Sequence, residues 1–401
     1  MSLTESTNSY NLSYDPFRQA LPSLLFLVLL FFLNFTARVI FSPLLPFIER
    51  ELNLNHAASG SFFFFISSGY FLSILLSGYV SERITHKRTI VLSVLSSGFV
   101  LLFVGTCVTL FQLRLALFCL GMAAGLYLPS GLATITYLVK PSCWARGMAV
   151  HELAPNFGFV AAPVLSDMAL SFFSWRQGTG LFGLLIIIAG FCYFMFGKDC
   201  RQAGRSLDWQ IVACFLKIPD FWILTLLFSL AICSTLGIYA MLPLFLVADQ
   251  GMEMERANWL VAFSRLAAVG MPIMAGWLGD RYGNRVVMAT ILAAAGLFTV
   301  MLGICPQRWI ILFVILQPML AVCFFPSGFV VLSKMGQQGT GNVGVSLVIP
   351  LAFMVGGGLM PFIIGLIGDT YSIGVGFAGS GLLMFIGGAV QLLVFGKKDQ
   401  R

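Results

Sequence analysis

Charge is what this sequence has least of. Asp, Glu, Lys and Arg make up 10% of its 401 residues, against roughly 25% in soluble proteins. Hydrophobic residues stand at 59%, so nearly every long stretch is too apolar for a helix with one wet face, and lipid is the implied solvent. Metal-ligating residues are sparse as well. There are three histidines and nine cysteines, and no cysteine pair has zinc-ligand spacing. The odd cysteine count, placed mostly in or beside apolar runs, reads as small apolar packing residues. His151-Glu152 would open a zinc-hydrolase motif only with a second His at position 155, where Pro155 stands. A Gly-rich phosphate loop with a following Lys is missing, so nothing suggests a nucleotide-driven pump. No nucleophile–base pair marks an enzyme. No metal and no cofactor are expected.

What is present is a pattern that occurs twice. Gly78-Tyr79-Val80-Ser81-Glu82-Arg83 leads into His86-Lys87-Arg88, and Gly276-Trp277-Leu278-Gly279-Asp280-Arg281 leads into Gly283-Asn284-Arg285, 198 residues later. Leu45-Pro46-Phe47 pairs with Leu242-Pro243-Leu244, and Tyr127-Leu128-Pro129-Ser130-Gly131 with Phe324-Phe325-Pro326-Ser327-Gly328, both at an offset of 197. Two halves of one plan, both membrane-embedded, are the pattern of a transporter built from repeats around a midplane site.

A spanning helix needs about 20 apolar residues. That length predicts twelve spans: 22–48, 58–80, 89–107, 110–139, 147–171, 178–197, 221–247, 257–279, 286–304, 309–334, 343–368 and 373–396. The organisation expected is an N-terminal tail over 1–21, a six-helix half over 22–197, a linker over 198–220, a second six-helix half over 221–396 and a tail over 397–401. Residues 1–17 lack the basic stretch of a signal peptide, and the run 22–48 is too long for a signal core, so it is expected to stay as a span. With both termini cytoplasmic, 16 basic residues fall on the cytoplasmic side and 5 on the other. The positive-inside rule then sets the orientation. It also accounts for the net charge of +7 without invoking nucleic acid. The expectation is an all-α polytopic membrane protein in the cytoplasmic membrane, with two pseudo-symmetric six-helix halves.

The repeated loop G-x-x-x-[D/E]-R-x-x-x-[K/R] resembles the signature loop of the major facilitator superfamily, and the resemblance covers essentially the whole chain. The second copy matches with Asp280, Arg281, Gly283 and Arg285; the first departs, with Glu82 for Asp and Thr85 for Gly. The resemblance implies that Glu82, Arg83, Asp280, Arg281 and Arg285 gate alternating access, each carboxylate near a helix N-terminus, where the dipole favours an acid. The alternative is that these charges only set topology. The resemblance also implies a monomer.

Two arginines lie well inside spans, Arg38 in the first and Arg265 in the eighth. An Arg at a helix centre costs about 2.5–3.5 kcal/mol on insertion scales, so each must face a polar cavity or a partner. Neither recurs at the offset, since position 38 maps to Thr235 and 265 to Ser67. No Asp or Glu lies in either span interior, and the acid nearest any span interior is Glu152. A positive cavity implies an anionic substrate, and the planar guanidinium suits a carboxylate, phosphate or sulfonate. The alternative is that Arg38 bonds carbonyls at a kink made by Pro43 and Pro46, and that Arg265 pairs with Glu152.

Asn34 to Arg38, with Ser42, Pro46, Glu51 and Leu54, is similar to the first span of the anion:cation symporter branch, which implies that Arg38 binds the anionic group. Gly69-Tyr70 is similar to that branch's Gly-Tyr pair, making Tyr70 a candidate donor. Arg265 stands where monocarboxylate and oxalate porters carry a substrate-binding Arg. In this fold the first, fourth, seventh and tenth spans line the cavity, so Asn34, Tyr127, Tyr239 and Gln317 are further substrate-binding candidates, with packing as the alternative for the last three. His151 and Glu152 are candidates for carrying a coupled proton. The function expected is a secondary transporter for a small organic anion, by proton-coupled symport or anion exchange. The alternative is an exporter of drugs or of an anionic siderophore-like compound.

Overall fold

The computed structural model describes residues 17–198, 209–335 and 341–398. Most of the expected N-terminal tail, part of the linker with Arg201 and Arg205, and Arg401 lie outside them. Among the described residues, twelve helices are long and apolar enough to cross a membrane. In chain order, spans 1 to 6 are Phe17–Leu52, His56–Ile84, His86–Val104, Leu110–Leu138, Arg146–Phe172 and Trp175–Phe196. Spans 7 to 12 are Pro219–Ala248, Met254–Tyr282, Asn284–Ile304, Gln307–Ser333, Val345–Thr370 and Ile373–Leu393. Several outrun their apolar stretches by about a turn, because polar and charged side chains at a helix end reach the interface. The linker holds a short helix, Trp209–Leu216, whose eight mostly apolar residues are too few to span a membrane.

Several spans are interrupted near mid-depth. Span 1 breaks at Ile40, two residues after Arg38. Span 4 breaks at Leu126 and span 10 at Val322 and Cys323, just before the repeated motif that contains Pro129 and Pro326. A proline removes the hydrogen bond to the carbonyl four residues back and clashes with it, which bends the helix there. Spans 7 and 11 each hold a π-helical stretch, Cys233–Gly237 and Phe353–Leu359.

The repeat is visible in how helices touch. A Cβ on Gly98 would lie 2.7 Å from the Gly183 carbonyl, and one on Gly296 would lie 2.6 Å from the Gly381 carbonyl. Spans 3 and 6 thus meet backbone to backbone, and spans 9 and 12 do so at positions 198 residues on. In lipid, where apolar burial drives little association, such small-residue contacts are what hold helices together.

The two halves meet on the side away from the described chain ends. Span 1 meets span 7 where Ser42 donates to the Tyr239 carbonyl at 2.8 Å. Span 2 meets span 11, with Gly60 against Pro361 and Ser67 against Gly358. Span 5 meets span 8, with Phe159 under the Arg265 guanidinium. Toward the chain ends, the remaining half of span 8, Met271–Tyr282, packs on spans 9 and 10 of its own half. Ile273 on it is 80% exposed. The halves are therefore closed on one face of the membrane plane and diverge toward the other.

Candidate functional site

Arg38 and Arg265 come from opposite halves, and both are buried, at 7% and 4% exposure. Rings surround them. The Arg38 guanidinium carbon stands 4.1 Å from the centroid of the Tyr70 ring and 5.1 Å from that of Phe35. The Arg265 carbon stands 4.7 Å from the Phe159 ring and 4.8 Å from the Tyr239 ring. Phe35 and Phe159 meet edge to face, with centroids 4.8 Å apart. One aromatic pair therefore links the two cations. A cation over a desolvated ring gains up to about 2 kcal/mol. That offsets part of the burial cost of each arginine but satisfies none of its N–H groups.

Several of those groups are unspent. Arg265 donates one bond, from an Nη to the Thr235 carbonyl at 2.7 Å, while its Nε and other Nη are buried without a partner. The Arg38 Nε is likewise buried and unpartnered. Among the described residues neither arginine is in an ion pair. Glu152, a possible partner for Arg265 in the sequence, instead approaches His151 Nδ1 at 3.7 Å and is more than half exposed. No carbonyl bond holds Arg38 at its kink among the described residues, although the kink itself is there. Thr235, the position equivalent to Arg38 in the second half, lies in the π-helical stretch of span 7, a distortion that re-aims backbone carbonyls.

Tyr70 and Tyr239 thus stand beside the arginines, Tyr70 held there by close helix contact. Gly69 and Gly121 bring spans 2 and 4 so near that a Cβ on Gly121 would overlap the Ile66 carbonyl. The Tyr239 hydroxyl donates to the Phe159 carbonyl at 3.2 Å, across the halves. Three other candidates are placed differently from the cavity-lining expectation. Asn34 gives its amide N–H groups to the Ala124 carbonyl at 3.2 Å and to Ser93 Oγ at 3.5 Å. Tyr127, wholly buried, donates to the Leu27 carbonyl at 2.6 Å. Gln317 gives its amide N–H groups to Ser234 and Thr299 at 2.9–3.1 Å. These side chains brace the halves internally, since a buried polar group in lipid must find its partner within the bundle.

His151 is fully buried, its ring stacked on Phe31 at 4.3 Å with Nε2 3.3 Å from the Tyr127 hydroxyl. Its Nδ1 makes no hydrogen bond. The loop carboxylates Glu82 and Asp280 are exposed and in no ion pair among the described residues. Arg83 lies over the Tyr79 ring and Arg281 over Trp277 and Tyr282. Among the described residues, neither carboxylate thus forms an ion-pair latch in this conformation, in which that side is open.

Sequence reasoning missed three contributors. Phe35 and Phe159 are two among 39 phenylalanines, and nothing in their spacing marks them. Asp369, at the end of span 11, accepts from the backbone N–H of His56 at 2.7 Å and of Ala57 at 3.1 Å. It caps the start of span 2 across the halves, while Glu49 holds the His56 ring at 3.1 Å. A carboxylate is favoured at a helix N-terminus by unpaired N–H groups and the dipole.

A model of the Major Facilitator Superfamily matches residues 27–271. The hexuronate transporter of Bacillus subtilis is 27% identical over 279 residues, 63% of this chain and 64% of that one, so the chain spans just under two thirds of that relative. The probable sulfoacetate transporter SauU of Cupriavidus necator is 22% identical over 69% of this chain and 68% of its own. The cis,cis-muconate transport protein of Acinetobacter baylyi is 20% identical over 88% of each. Among solved structures, a bacterial homologue of the human lysosomal transporter Spinster, inward-facing and occupied, superposes with a TM-score of 0.74 at 15% identity over 95% of each chain. The nucleoside transporter NupG superposes at 0.73 with 15% identity over 93% of this chain and 99% of that one. Both share the fold.

Proposed function

The chain belongs to the Major Facilitator Superfamily of transporters, and from that premise we propose that it carries a small organic anion of carboxylate type across the cytoplasmic membrane by alternating access. The observation that carries this reading is the pair of buried guanidiniums, one per half, whose N–H groups have no anionic partner among the described residues. Leaving a buried charged donor unsatisfied is costly. A substrate carboxylate supplies what is missing, and the relatives named for hexuronate, sulfoacetate and muconate are named for anions.

In the empty site two positive charges oppose approach of the halves. With an anion between them the repulsion becomes attraction, which favours closure over a loaded site and disfavours an empty return. That supports exchange or tightly coupled symport. His151 and Glu152, set in the first half beside Tyr127, serve the proton in the symport case. By the positive-inside count the open side faces the cytoplasm. Glu82 and Asp280, with Arg83, Arg281 and Arg285, engage when that side closes. Export of a cationic drug would need an acid where these arginines stand.

The test is a thermal-shift screen of the purified protein with small organic anions at two pH values, repeated with Arg265→Ala. A ligand that binds the native state raises its apparent stability. An anion shift that disappears in the variant supports the reading. Shifts from cations alone would remove it and return both arginines to the scaffold.

A further inference from the structure

We infer that the anion taken by this site has a flat, unsaturated or aromatic body rather than a polyhydroxylated one. The inference rests on the anion reading above and narrows it to an unsaturated or aromatic carboxylate. The ground is what lies between and around the two cations. Moving from Arg38 to Arg265, the groups met are the rings of Tyr70, Phe35, Phe159 and Tyr239, each within 5.1 Å of the guanidinium it faces or of the next ring. Phe353 of span 11 extends the set, 6.1 Å from Tyr70.

A sugar acid brings several hydroxyl groups that leave water on entry, and each needs a partner at the site. Several of the polar side chains nearest the rings are already committed. The Tyr239 hydroxyl is spent on the Phe159 carbonyl, and the Ser42 hydroxyl on the Tyr239 carbonyl. The amide N–H groups of Asn34 and Gln317 are spent on spans 3 and 4 and on spans 7 and 9. Few buried polar groups without partners remain near the rings: the Thr36 hydroxyl, beside Gly158 and the Phe35 ring, and Asn34 Oδ1, while the Asn258 amide lies about two helical turns from Arg265 toward the closed side.

What the site offers is therefore mainly two kinds of contact. Unspent guanidinium N–H groups suit the planar carboxylate, whose two oxygens they can meet in parallel. Ring faces and edges suit a planar carbon body, which gains from offset or edge-to-face packing and loses no hydrogen bond on leaving water. A carboxylate joined to a conjugated chain or ring satisfies both.

The discriminating experiment is a calorimetric titration of the purified full-length protein with benzoate, glucuronate and benzyl alcohol. Benzoate and glucuronate each set one carboxylate on a six-membered ring, and benzyl alcohol has the aromatic body without the charge. Benzoate is expected to bind at least about tenfold more tightly than glucuronate, with no measurable heat from benzyl alcohol. In Phe159→Leu, which keeps an apolar side chain but removes the ring, benzoate is expected to weaken at least about threefold while glucuronate changes little. The thermal midpoint of the variant, measured alongside, shows that it is folded. Glucuronate binding as tightly as benzoate would overturn the inference and leave the anion reading intact. Binding of benzyl alcohol equal to that of benzoate, or of neither anion to the folded native chain, would overturn both.

Discussion

The Ser42 hydroxyl donates to the Tyr239 carbonyl at 2.8 Å, and these two residues occupy equivalent positions in the two halves, 197 residues apart. They touch because spans 1 and 7 are related by the repeat and cross where the halves meet. The bond has a local cause. Pro243 has no N–H, so the carbonyl four residues earlier, that of Tyr239, lacks its helical donor. The other half provides one. Removing it should loosen the closed side: in Ser42→Ala, loss of a bond worth about 1 kcal/mol is expected to shift the conformational equilibrium roughly fivefold toward opening. Distances between spin labels on the ends of spans 1 and 7 would report the shift, and an unchanged distribution would show that the bond is incidental.

Arg38→Ala and Arg265→Ala are expected to fold, since each removes a buried cation and its desolvation cost. Each is expected to lower anion affinity by at least about tenfold, the loss of one charge-assisted contact. Arg265→Lys should not rescue, because an ammonium cannot lie flat between the Phe159 and Tyr239 rings while donating to Thr235. Normal anion affinity in both alanine variants would end the case for a positive cavity.

Asp369→Asn keeps the size of the side chain but removes the charge that caps His56 and Ala57 from the opposite half. A cap of this kind contributes about 1 kcal/mol. The expected outcome is faster labelling of a cysteine placed on the closed side, with anion affinity in the open state little changed. Equal labelling rates would make Asp369 a local cap only.

If Asp280 gates access as proposed, Asp280→Asn should slow turnover while leaving substrate affinity largely intact, because Asp280 is exposed and, among the described residues, in no ion pair in the conformation seen here. Transport rates in proteoliposomes set against binding constants in detergent make the comparison. Lost affinity at an unchanged rate would contradict the latch.

Replacing Gly296 with Leu sets a side chain against the span 12 backbone, where even a Cβ would stand 2.6 Å from the Gly381 carbonyl. The helices must separate, and a fall in thermal midpoint of several degrees is expected. Gly276→Ala, with nothing within 4 Å of its added Cβ, should leave the midpoint within about a degree, as surface changes usually do.

The sequence by itself determined the architecture. Twelve apolar runs of spanning length admit only helices, because a backbone in lipid must satisfy its hydrogen bonds within the segment. The 197–198 offset shows two related halves, and it reappears in the glycine crossings and in the Ser42–Tyr239 contact. Arg38 and Arg265 were legible for the same reason that they are costly: a charge in an apolar span has few explanations. Which neighbours they have was decided only in three dimensions. A soluble helix shows its buried face through alternation with polar residues, but a span is apolar all round, so no period separates Phe35 and Phe159, which flank the arginines, from phenylalanines that face lipid. Nor does a polar residue in a span declare where its hydrogen bonds go. Asn34, Tyr127 and Gln317 resemble cavity residues in one dimension. Their partners at Ala124, Leu27 and Ser234 lie 83 to 100 residues away, and only folding brings those carbonyls within reach.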